Sequence, residues 1–175
     1  MAKKKFYRFP RYLLSRLGAA FLLALPRSWA LALANGIGHL GYALVARQRT
    51  KILENLKLAY GATKSSRELE TIGRQVMGHM LRTAVDFLRF ATLSRDQAAS
   101  FVEMGEAYSF CKDILQEGKG LIIMTPHMGN WELLAGIFGL QGFRGAVVGR
   151  RIYYEPYNRW IVGLRNSVGV QTIYQ

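Results

Sequence analysis

The sequence predicts an α/β fold: a parallel-type sheet with flanking helices, preceded by an N-terminal helical region that anchors to a membrane. Three observations predict it. Short apolar runs at 121–125, 145–149 and 170–174 alternate with stretches of helical period at 131–140 and 156–168. That alternation of strand and helix builds parallel sheets with right-handed crossovers. Two longer apolar segments, 17–25 and 29–46, precede them and follow a leader rich in basic and aromatic residues. Finally, charge is one-sided: 24 Lys and Arg against 11 Asp and Glu leave +13 on 175 residues. Such a surface attracts nucleic acid, anionic lipid or an acidic carrier protein.

Residues 1–46 read as a basic leader and hydrophobic anchoring helices. Lys3, Lys4, Lys5, Arg8, Arg11 and Arg16 are interleaved with Phe6, Tyr7, Phe9 and Tyr12, a mixture suited to the headgroup layer. The first apolar segment is shorter than the roughly 20 residues of a span, and the second carries Asn35, His39 and several glycines. Basic residues flank both ends, with Arg47, Arg49 and Lys51 on the far side. A single span would place one basic cluster outside. A helical hairpin or interfacial anchor on the cytoplasmic leaflet is therefore expected, with a single span and a cleaved signal peptide, ending near 30–32, as the alternatives. Asn35 and His39, four apart, are expected to pack between helices.

Residues 47–100 read as a helical region. A polar helix closes at Gly61, and Ser65 with Glu68 forms a capping box opening a long amphipathic helix. Its expected apolar face is Leu69, Ile72, Val76, Met80, Ala84, Phe87, Leu88 and Ala91, with His79 on the polar face and Asp86 as a salt-bridging carboxylate. Ser94 and Gln97 repeat the capping signature.

Residues 101–175 read as the N-terminal, incomplete part of an α/β catalytic domain, because the chain ends directly after its third strand. A short strand is expected at 101–104, a helix at 106–116 with Gly118 as its C-cap glycine, and a strand buried on both faces at 121–125. Pro126 ends that strand. A turn through Gly129 follows, with Asn130 as N-cap of the next helix. His127 thus stands at the carboxyl end of a strand, where open α/β sheets bind ligands, and Glu132 lies in the first turn of the following helix. Folded back across the turn, the pair can be a general base and the carboxylate that orients it. A histidine bonded only to loop backbone, beside a glutamate favoured by the helix dipole, is the other reading. A buried strand at 145–149, a helix with Pro156 at its first position, and a strand at 170–174 complete the pattern.

The sole cysteine, Cys111, excludes an internal disulfide and a zinc-binding cysteine cluster, and reads as a small buried hydrophobe. No GxSxG, HExxH, GxGxxG or phosphate-loop pattern occurs, which removes support for serine hydrolase, zinc protease and nucleotide-binding classes. The basic residues flank apolar helices, which suits lipid better than the groove of a nucleic-acid-binding protein.

The stretch His127-Met128-Gly129-Asn130-Trp131-Glu132 resembles the H-x-G-N-W-E signature of the lipid A biosynthesis acyltransferases, a branch of the lysophospholipid acyltransferase superfamily. The resemblance extends to Arg49 with Asn55-Leu56, to Gly105 and Gly118-Lys119-Gly120, to Val147-Val148-Gly149-Arg150, and to Asn158, Arg165 and Gly169. Gly149-Arg150-Arg151 departs from the family's aromatic-Arg-Pro. The resemblance implies transfer of a fatty acyl group from an acyl thioester, on acyl carrier protein or coenzyme A, to a hydroxyl of a lipid A precursor or related glycolipid. His127 would be the base and Glu132 its orienting partner. Arg165, Arg150 and Asn130 would contact substrate or the developing oxyanion, although a salt bridge from Arg165 to Glu132 or Glu155 is equally open. It implies no metal and no cofactor beyond the thioester, an anionic membrane surface as partner, no nucleic acid, and a place on the cytoplasmic face of the bacterial inner membrane. An inactive, truncated membrane-binding module is the alternative, and a nucleic-acid-binding protein a more distant one.

Overall fold

The computed structural model describes residues 7–94, 96–97, 100, 103 and 105–175. They form α1 (Arg8–Ala24), α2 (Arg27–Leu44), α3 (Ala46–Tyr60), α4 (Ser66–Phe90), α5 (Glu106–Gln116), α6 (Trp131–Leu140), β1 (Gly145–Gly149), α7 (Glu155–Ser167) and β2 (Val170–Tyr174). The chain is mostly helical, with one two-stranded parallel sheet. Contacts divide it after Leu88 into two compact units.

In the first unit, α1 starts inside the basic leader, so Arg8, Arg11 and Arg16 are helical. Pro26 breaks the chain before α2, and α2 buries Ala30, Ala34, Gly38 and Tyr42, one residue per turn. This row of mostly small residues lets α4 approach closely along i±4 ridges. A Cβ on Gly38 would stand 2.6 Å from the Gly78 Cα and the Met77 carbonyl oxygen. Asn35 and His39 face Gly78 of α4, so they do pack between helices. Ala30, Ala34 and Val85 form the core here, with Leu22, Leu25, Leu31 and Leu81 around them. Gly38→Ala is expected to lower stability by about 1–3 kcal/mol through overpacking. Gly36→Ala on the same helix, where a Cβ meets nothing within 4 Å, should stabilise by ~0.5–1 kcal/mol. Denaturant melts of the two variants check the contrast.

The buried face of α4 differs from the expected stripe. Met80 is 59% exposed and Ala84 is exposed, whereas Leu69, Gly73, Gly78 and Val85 are buried. Contact with α2 is made where α4 is smallest, at Gly73 beneath the Tyr42 ring and at Gly78. A hydrophobicity pattern scores glycine as neutral and so misplaces the stripe. Other local expectations hold. Ser65 and Glu68 form the reciprocal capping box, with the Ser65 N–H donating to Glu68 Oε2 at 2.8 Å and the Glu68 N–H to Ser65 Oγ at 3.4 Å. The Ser65 bonds hold the Glu68 carboxyl below its usual range. Asp86 makes a two-pronged salt bridge with Arg27, at 2.9 and 3.1 Å, and His79 is exposed.

Tyr42 is buried, and its hydroxyl donates to Glu70 Oε2 at 2.7 Å. Burial first, then the hydrogen bond and the charge of Glu70, push its phenol up from 10.0 to about 12, against Arg49 and Arg74. The folded chain therefore keeps a proton that the unfolded chain releases above pH 10. The stabilisation is whole below pH 10 and declines as pH rises toward about 12. Tyr42→Phe should cost about 1.5–3 kcal/mol at neutral pH and flatten the alkaline loss, as followed by urea unfolding between pH 8 and 12.

The second unit carries the sheet. β1 and β2 pair in parallel, with Gly145 opposite Val170 and Gly149 opposite Tyr174. Its core is Phe90, Ile137, Val168 and Val170, with Leu133, Phe138 and Val147 packed around it. A Cβ on Gly136 of α6 would stand 2.6 Å from the Phe90 ring, so only glycine permits that approach. Cys111 is buried on α5, and Gly118 takes the positive φ (+74°) of a helix C-cap. Pro156 lies in the first turn of α7.

Two strand expectations are corrected. Residues 121–125 form no strand, and Leu121, Ile122, Ile123 and Met124 are 36%, 90%, 51% and 92% exposed. A strand exists only through lateral hydrogen bonds, and among the described residues β1 pairs with β2 alone. Nor is β1 buried: Val147 points inward while Ala146 and Val148 are exposed, the alternation of a sheet covered on one face. The expected strand at 101–104 lies largely outside the described residues.

Candidate active site

The turn before α6 sets the site. Gly129 adopts a positive φ of +63°, which swings the chain from Pro126 into the helix. Asn130 is the N-cap expected of it, its Oδ1 accepting the Leu133 N–H at 3.1 Å. His127 lies just before this turn, with its ring centroid 4.7 Å from that of Trp131 at an interplanar angle of 55°.

Glu132, in the first turn of α6, is held by Arg165 of α7. The guanidinium meets both carboxylate oxygens, Nε to Oε2 at 2.9 Å and Nη2 to Oε1 at 2.5 Å. The two side chains are only 19% and 18% exposed. Nη1 of Arg165 also lies 3.4 Å from Thr172 Oγ1 on β2, and a Cβ on Gly149 would stand 3.7 Å from it. The hydrogen bonds to Glu132 outweigh burial and hold the guanidinium above its ordinary pKa, helped by the charge of Glu132 and by Tyr174. Arg165 is thus a fixed cation that ties the start of α6 to the carboxyl-terminal half of the sheet. Of the two roles open to it in the sequence, the structure forms the salt bridge to Glu132; Glu155 pairs instead with Arg151 at 2.7 Å.

The structure therefore brings Glu132 and Arg165 together. Among the described residues it forms no hydrogen bond between His127 and Glu132, which are joined by a five-residue turn and helix start. A carboxylate has about four lone-pair sites, so the Arg165 clamp leaves acceptor capacity on Glu132. Arg150 directly follows β1 and is exposed. Among the described residues, no three of His, Cys, Asp and Glu converge as metal ligands do.

Two residues enter the site that the sequence did not reveal. Thr172 contacts Arg165, and Tyr174 bonds to Asn158, a side chain buried to 4% exposure. Asn158 entered the sequence reading by resemblance alone. Its physical signal is spacing, since Asn158 and Arg165 stand seven apart and so share one face of α7.

A family model described as bacterial lipid A biosynthesis acyltransferase matches residues 1–175, the whole chain. The chain belongs to this family. Membership supports acyltransferase activity in general, within lipid A biosynthesis, with an acyl donor and a lipid acceptor as the substrate classes. No curated protein and no solved structure matches the chain.

Proposed function

We propose that the chain is an O-acyltransferase of the HxxxxE type that moves a fatty acyl group from a thioester, on acyl carrier protein or coenzyme A, to a hydroxyl of a lipid A precursor or related glycolipid. The observation that supports the reading is the place of His127 at the turn into α6, whose first turn carries Glu132 held on both carboxylate oxygens by Arg165. A nitrogen of the His127 ring removes the acceptor hydroxyl proton as the oxygen attacks the thioester carbonyl carbon. The tetrahedral intermediate collapses with cleavage of the carbon–sulfur bond, and the thiolate takes the proton back from the imidazolium. An ester and a free thiol result, and nothing is oxidised or reduced. Glu132 orients the ring and stabilises its charged form on closure around substrate, when apo hydrogen bonds tighten. Arg165 acts through Glu132, while Arg150, exposed at the end of β1, is available to substrate anions. No metal or organic cofactor is called for.

The reading places the chain on the cytoplasmic face of the bacterial inner membrane. Leu13, Leu14, Leu17 and Phe21 of α1, and Trp29, Leu33, Ile37, Leu40 and Leu44 of α2, are exposed apolar residues. Arg8, Arg11 and Arg16 lie on the same α1, and the chain carries +13. Apolar faces combined with cationic charge suit an interfacial anchor. Among the described residues no single helix is long and apolar enough to cross a membrane; α2 and α3 together pass that test but are bent by 92°.

The test is thiol release from an acyl thioester with and without a glycolipid acceptor in mixed micelles. Release that depends on the acceptor is expected. Equal release without acceptor would make the chain a thioesterase and reject the proposal.

A further inference from the structure

We propose that Asn158 and Tyr174 are positioning residues that hold the loop between β1 and α7 against the carboxyl end of β2, and so fix where Arg150 stands, one residue beyond the Gly149 that approaches Arg165. Asn158 uses both ends of its amide. Its Oδ1 accepts the Ile152 N–H at 3.0 Å, and its Nδ2 donates to the Tyr174 hydroxyl at 2.7 Å. One buried side chain thus joins the loop, the first turn-and-a-half of α7 and the last residue of β2.

Two neighbouring ties are weaker. The Gln175 N–H donates to the Gly149 carbonyl at 3.3 Å, and the Arg151–Glu155 pair is exposed, where ion pairs hold little. Asn158 is the only polar or charged residue among the buried described residues. Because Asn158 is buried while Ile152 is exposed, it is the amide of Asn158 that is satisfied by Ile152 and Tyr174 in place of water, and this ties the loop to α7. Ile152 is two residues from Arg150, so the chain keeps their Cα atoms within about 7 Å of each other. The inference deepens the acyl-transfer reading and rests on it for its kinetic half.

Two readouts separate the tether from the reaction. Hydrogen exchange across 150–154 reports the loop, and acceptor KM against kcat reports its use. Asn158→Leu should speed exchange at the Ile152 amide about tenfold and raise acceptor KM about tenfold, with kcat within about twofold. Asn158→Asp should stay closer to wild type than the leucine variant in both, because a carboxylate still accepts from Ile152 N–H and from the Tyr174 hydroxyl, while the buried charge lowers overall stability. Tyr174→Phe, which leaves the Ile152 bond in place, should fall between them and guards against a misfolded leucine variant. Unchanged Ile152 exchange in Asn158→Leu, or faster exchange with acceptor KM unmoved, would overturn the proposal. A wild-type chain without transfer would instead reject the acyltransferase reading, and exchange would still decide the tether.

Discussion

Replacing His127 with alanine is expected to lower kcat for acyl transfer by roughly 10²- to 10⁴-fold, the usual contribution of a positioned general base, while leaving the fold intact. The second half follows from structure. The ring touches Trp131 from an exposed turn, and the helix start beside it is held independently by the Asn130 cap. Acceptor KM should change little, because the base acts on the proton in flight and not on the bound lipid. Steady-state rates, with a thermal melt of the same preparation, check both halves. An alanine variant that kept wild-type kcat would remove His127 from the chemistry.

Arg165→Met is expected to do harm of another kind. It strands Glu132 as an uncompensated carboxylate in a site where that side chain is 18% exposed. Breaking a well-buried pair costs about 3–5 kcal/mol; partial exposure reduces this to roughly 2–3 kcal/mol. Activity should fall as well, since Glu132 loses the guanidinium that fixes its orientation. The double variant Glu132→Leu with Arg165→Met distinguishes the two effects. With both charges gone, stability should return toward wild type while transfer stays lost. Arg165→Lys should rescue only in part, because an ammonium cannot reach both carboxylate oxygens in the forked geometry seen at 2.5 and 2.9 Å. Chemical denaturation and initial rates on the four proteins decide this.

What could be read from the sequence was local. The Ser65–Glu68 box, the Asn130 cap, Gly118 and Pro156 each act within a few residues, and each helix they bound lies where expected, to within about a residue. Cys111 and Asp86 likewise took the bland roles assigned to them. The misses are non-local. Strand character at 121–125 depends on a lateral partner that its own residues do not specify, so apolar composition alone implied burial that is not there. The α4 face was decided by Gly73 and Gly78, which carry no hydrophobic signal but permit contact with α2. At the site, the motif located His127 and Glu132. It left Arg165 open between a substrate contact and a salt bridge to Glu132 or Glu155, and the fold forms the bridge to Glu132, 33 residues away, because partner choice between distant charges is a property of the fold. Thr172 and Tyr174 were missed for the same reason.

The central claim is that a lipid hydroxyl receives the acyl group. It is tested most directly by mass spectrometry of the lipid fraction after incubation with an acyl thioester. The account predicts a glycolipid heavier by one fatty acid less water, formed in equal amount with free thiol, and absent when His127 is alanine. Free fatty acid with an unmodified glycolipid would contradict it.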